Sequence, residues 1–87
     1  MKNWIETRKL YIEDHLSKPL IQPQRRINAL NAIEKLFQDN ASNLLKDKNI
    51  FIILSKDEFL KKYKKWKGKS LSSAERSVIN GIYKFSN

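Results

Sequence analysis

The stretch Lys56-Asp-Glu-Phe-Leu-Lys-Lys-Tyr-Lys-Lys-Trp-Lys-Gly-Lys69 decides the fold, because it has the period of an α-helix and recognisable ends. At about 100° per residue, Phe59, Leu60, Tyr63 and Trp66 fall within one arc of about 120°, and Lys61, Lys62, Lys64 and Lys65 fall on the other side. One face requires a core, and the other faces water or an anion. Ser55 and Glu58 stand at capping-box spacing: the Ser55 oxygen can accept from the N–H three residues on, and Glu58 can reach back to the Ser55 N–H. Gly68 closes the helix, at a position where a left-handed residue meets no Cβ clash.

On the carboxyl-terminal side, Ser72 and Glu75 repeat the capping-box spacing. The helix they open carries Val78, Ile79, Ile82, Tyr83 and Phe85. Gly81 in its middle costs about 1 kcal/mol relative to alanine, which reads either as plain tolerance or as room for the close approach of another helix or a phosphate backbone. On the amino-terminal side, Ile50-Phe-Ile-Ile-Leu54 is too short to assign by period, and its β-branched content predicts an extended, buried plug leading into the lysine-rich helix. Residues 40–49 are polar apart from Leu44 and Leu45 and read as a connection, with at most one helical turn.

Further upstream, Pro23 suits the first position of a helix, where its missing N–H is not needed. That helix is predicted to run to about Asp39, with Ile27, Ala29, Leu30, Ile33, Leu36 and Phe37 inward and Gln24, Asn28, Asn31 and Lys35 in water. Arg25 and Arg26 occupy its first turn, where the helix dipole disfavours cations; solvent tolerates them there, and a bound phosphate would compensate them. Pro19 ends the preceding helix, which spans Asn3 to about Ser17 with Asn3 as N-cap and Glu6 three residues on. Trp4, Ile5, Tyr11, Ile12 and Leu16 form its apolar stripe. Arg8 and His15 project into the same stripe, where their tips either pass the core edge and meet a carboxylate such as Glu13 or Asp14, or face a ligand. The chain thus reads as all-α: a compact, single four-helix domain with a short extended segment near residues 50–54.

Composition narrows the function. Without cysteine there is no disulfide framework, thiolate zinc site or thiol nucleophile, and a reducing cytoplasm is the natural setting. The longest apolar run has five residues, far short of the ~20 of a spanning helix, and the amino terminus lacks a signal-peptide core. With one histidine, no Gly-rich phosphate loop and no metal-ligand spacing, neither catalysis nor a cofactor or metal is expected. The adjacent pairs Glu13/Asp14 and Asp57/Glu58 diverge on a helix and suit capping and solvation.

The net charge is +9, of which residues 56–87 hold +6. Such a field concentrates polyanions, so nucleic acid is the first partner to consider and an acidic protein surface the second. A run of charge is ordinarily a solvated face. Here the lysines are not interleaved with glutamates, and Lys67, Lys69, Arg76 and Lys84 carry the charge on into the next element. The candidate phosphate contacts are Lys61, Lys62, Lys64, Lys65, Lys67, Lys69 and Arg76, with Arg25 and Arg26 as a second cluster. Lysines without an interspersed Arg/Asn/Gln set hold phosphates without reading bases strongly. Tyr63 and Trp66 have the faces to stack on unpaired bases, but their spacing with Phe59 assigns them to the core.

The order of elements, with Arg26-Ile-Asn-Ala-Leu-Asn-Ala-Ile-Glu-Lys-Leu-Phe37, Asn49-Ile-Phe-Ile-Ile-Leu-Ser55, a capped basic helix and Leu71-Ser-Ser-Ala-Glu-Arg-Ser-Val-Ile-Asn-Gly-Ile-Tyr-Lys-Phe85, resembles the SAM-like core-binding domain of tyrosine recombinases. It is similar also to amino-terminal domains of some restriction-type proteins. The resemblance implies an orthogonal bundle of short helices that clamps DNA, either a free-standing module of a phage or mobile element or an excised domain, and no strand cleavage, since that family's catalytic residues lie in a separate domain. Gln22-Pro23 stands where the family often has threonine before the second helix. The Arg25-to-Asn40 helix is loosely similar to helices of bacteriocin immunity proteins. That likeness implies the alternative, a protein-binding inhibitor, immunity-like or a phage anti-defence protein, that docks its basic face on an acidic protein surface or at the inner membrane surface. A homo-oligomer joined through exposed aromatics is a third expectation.

Overall fold

A computed structural model describes residues 2–18, 23–46 and 50–86; of Ile52 and residues 42–46 it describes the backbone. Among the described residues five helices follow in order: α1 (Trp4–Ser17), α2 (Pro23–Lys46), α3 (Ile50–Ile53), α4 (Lys56–Lys67) and α5 (Ser73–Phe85). The described residues include no strand, and no helix among them is long and apolar enough to cross a membrane. The expected small all-α bundle is the observed architecture. The turn at residues 19–22 and the side chains of Leu44 and Leu45 lie outside the described residues.

The starts of α1, α2, α4 and α5 follow from residues suited to a helix N-terminus. The Asn3 side chain accepts the Glu6 N–H at 2.9 Å, and Pro23 begins α2. Ser55 caps α4 by accepting the Glu58 N–H at 3.3 Å, while the Glu58 carboxylate takes the Ser55 hydroxyl rather than its N–H. At α5 the box closes in both directions, Glu75 N–H to Ser72 Oγ at 3.2 Å and Ser72 N–H to Glu75 Oε1 at 2.8 Å. Gly68 ends α4 with φ +78° and donates its N–H to the Lys64 carbonyl. Helical geometry in α2 breaks at Ala41 (φ −155°, ψ 57°), two residues past the expected end, and helix resumes to Lys46.

Two expectations need correction. Residues 50–53 form a single helical turn, closed by Leu54 N–H to the Ile50 carbonyl at 2.7 Å, and not an extended segment. The turn sends Ile50, Phe51 and Leu54 into the core, a set that an alternating strand could not bury together. In α1 the buried stripe is Trp4, Thr7, Tyr11 and His15, whereas Ile5 and Leu16 are 64% and 65% exposed. They lie about 100–120° around the helix from Trp4, beyond the face that α2 and α5 cover. Thr7 is tolerated inside because its hydroxyl donates to the Asn3 carbonyl at 2.8 Å.

Most polar groups of that stripe are paired, although the buried Tyr11 hydroxyl has no hydrogen-bond partner among the described residues. His15 stacks on the Tyr11 ring and donates from Nδ1 to the Tyr11 carbonyl at 3.0 Å. Arg8 reaches across to α2, 3.3 Å from the Glu34 carboxylate and 2.8 Å from Asn31 Oδ1, and Glu34 also accepts from the Trp4 indole. Deeper in, Phe59 of α4 is the ring where four helices meet. It stacks on Phe37 of α2 at 4.2 Å and Trp4 of α1 at 6.0 Å, and meets the Tyr83 edge of α5 at 5.8 Å. Leu30, Ile33, Val78, Ile79 and Ile82 fill the space around these rings.

Candidate functional site

With Phe59 and Tyr63 committed to the core and Leu60 and Trp66 packed at its edge, α4 has one free arc, which is lysine apart from Asp57 and Glu58 in its first turn. Lys61, Lys62, Lys64 and Lys65 are all exposed. They divide between two flanks. Lys62 lies over the Trp66 ring, 5.8 Å from its centroid, and Trp66 in turn abuts Phe37. Lys61 and Lys64 lean toward α5 and wall a hollow of about 380 Å³ with Lys56, Asp57, Arg76 and Asn80, floored by Leu60 and Leu71.

Two shallower hollows continue it. Toward the end of α4, Lys61 and Lys64 are shared with a depression that adds Lys65, Gly68 and Lys69. Toward the start of α4, Lys56 and Asn80 are shared with one that adds Tyr83 and Lys84. The result is one continuous face formed by α4, the turn after it and α5, carrying Lys56, Lys61, Lys64, Lys65, Lys69, Arg76 and Lys84, with the carboxylate of Asp57 on its wall and that of Glu58 at its margin beside Ser55 and Tyr83. Among the described residues none of these seven cations makes an ion pair, in contrast to Arg8, Lys18, Lys35 and Lys67. The charges are therefore spent neither on packing nor on neighbours.

Lys67 belongs elsewhere. It is largely buried, it lies over the Tyr63 ring, and its ammonium is bonded to Glu75, which also receives the Tyr63 hydroxyl. Burial pushes the Glu75 carboxyl upward, but bonds from Lys67, Tyr63 and Ser72 outweigh it and hold the group at about 2. Burial, together with the Glu75 bond, raises Tyr63 above its ordinary value. These three side chains clasp the end of α4 to the start of α5, so Lys67 sets the angle of the cationic face without standing on it.

Arg25 and Arg26, the second cluster read from sequence, line none of the three hollows. Arg26 is half-buried near the Tyr11 phenol, which burial raises and the Arg26 charge lowers. Asn80 and Lys84 are members of the face that a reading of α4 alone omits, and Lys56, the first residue of α4, joins it through the hollows it shares with Asn80. Their signal in the sequence is the helical spacing of Arg76, Asn80 and Lys84 on α5. Among the described residues no group of three or more His, Asp or Glu side chains is placed to hold a metal ion. Comparison of the chain with protein-family models, with curated proteins and with solved structures gives no match.

Proposed function

We propose that the chain is a non-catalytic DNA-binding module that seats the phosphate backbone of a duplex on the α4–α5 face. The observation that carries this reading is the set of seven unpaired cations against two carboxylates, Asp57 and Glu58, on and between two helices that the core fixes in place. Lysines of this kind release condensed counterions when they meet phosphates, and affinity then falls with salt by a slope of about −0.9 per phosphate neutralised. The resemblance to recombinase core-binding domains supports the same reading.

Fluorescence anisotropy of a labelled duplex at about 50 and 200 mM salt tests it. Micromolar or tighter binding is expected at the lower salt, with a steep loss at the higher. Replacing Lys61, Lys64 and Lys65 with Gln should weaken binding to every duplex and reduce the salt slope by about 2–3. The melting temperature should hardly change, since all three side chains are exposed. Absence of binding at low salt sinks the reading and transfers the face to an acidic protein surface.

A further inference from the structure

The outward stripe of α5 has a different chemistry from that of α4. Ser73, Arg76, Ser77, Asn80 and Lys84 are all exposed, and at about 100° per residue they fall within one arc of about 100°. The exposed cations of α4 are all lysines, flexible point charges suited to phosphate. On α5 the stripe instead presents a guanidinium fork and a carboxamide one turn apart, with hydroxyls beside them. Arg pairs in bidentate fashion with guanine O6 and N7, Asn pairs likewise with adenine N6 and N7, and Ser serves either.

The geometry points to α5 as a base-reading helix that enters the major groove of duplex DNA while the α4 lysines hold the adjoining phosphate strand. This rests on the DNA-binding reading of the same face and adds sequence recognition to it. A helix with its side chains is about 10–12 Å across and the major groove about 12 Å wide. From Ser73 to Lys84 the stripe runs about 16 Å, or roughly five base-pair steps, and Arg76 and Asn80 are separated by roughly two. Neighbouring helices pack about 8–10 Å apart, so a strand bordering the occupied groove falls into the hollow that Lys61 and Lys64 share with Arg76 and Asn80.

Recognition also requires a helix that does not roll. Three contacts on the other faces of α5 fix its rotation. Glu75 is bonded to Tyr63, Lys67 and Ser72, the Tyr11 ring occupies the notch at Gly81, and the Tyr83 hydroxyl donates to the Leu54 carbonyl at 2.8 Å. The Arg76 and Asn80 side chains are therefore presented in a fixed register, as bidentate contacts need.

In vitro selection from a randomised duplex library with the full chain tests this. Enrichment of a short motif is expected, containing a guanine and an adenine about two steps apart. Arg76→Ala removes the fork and should relax the guanine. Asn80→Ala changes no charge and should relax the adenine. Each variant should reduce the ratio of affinity for the selected duplex to that for random duplex by about 5- to 150-fold. Low-salt binding without an enriched motif, or a motif that both variants still select, overturns base reading and leaves the phosphate-binding proposal standing. Failure to bind any duplex at low salt overturns both.

Discussion

Gly81 shows how one residue can depend on another 70 positions away. A Cβ at this position would lie 2.5 Å from Tyr11 Cε2, and Tyr11 is itself 1% exposed, pinned between His15 and Phe85. The ring cannot swing aside as a flexible surface side chain would. Gly81→Ala gains about 1 kcal/mol of helix propensity and loses about 1–3 kcal/mol to overpacking. A lower urea midpoint is expected, with a net loss of about 1 kcal/mol. An unchanged or higher midpoint would mean that Tyr11 has room to move. From sequence alone Gly81 was ambiguous between tolerance and close approach, because the atom that decides the matter comes from α1. Lys67 was hidden in the same way. Its place among the lysines of α4 gave no sign that Glu75, on the next helix, would draw it inward.

Element boundaries were the most legible feature, since caps act locally. Asn3, Ser55, Gly68 and Ser72 each do what their residue type and spacing predict. The single turn α3 was not legible, because five apolar residues carry too little pattern to separate strand from helix once both faces are buried. The α4–α5 junction makes its own prediction. Glu75 is held at about 2 in the folded protein, below the ordinary carboxylate range, so as the pH drops the unfolded chain takes up the proton first. The stabilisation is complete above pH about 4.5 and is lost as the pH falls toward about 2, amounting to about 2–3 kcal/mol in all. Glu75→Gln should be less stable than the wild type by that order at neutral pH, and the gap should close across the acid window. Urea midpoints measured from pH 7 to about 2 check it. A gap that persists at the acid end would assign the effect to packing rather than to the carboxylate charge.

At the scale of the whole molecule, charge and core are arranged independently. The aromatic centre around Phe59 recruits Trp4, Phe37 and Tyr83 from three other helices, while the seven unpaired cations gather on the one face formed by α4, the turn after it and α5. The sign and rough location of that face were legible from the +6 carried by residues 56–87. Its continuity was not, because the packing of α5 beside α4 brings Asn80 and Lys84 alongside Lys56. The same arrangement separates the two tryptophans. Trp4 is 1% exposed and bonded to Glu34, whereas Trp66 is half-buried with Lys62 above its ring. The chain therefore carries two intrinsic fluorophores with opposite access to anions. Iodide, concentrated by the surrounding lysines, should quench Trp66 and leave the blue-shifted emission of Trp4 nearly untouched. Because Trp66 stands on the Lys62 flank beside Phe37, outside the hollows of the α4–α5 face, quenching that persists with a polyanion bound would report seating confined to that face, with the buried indole as the internal standard.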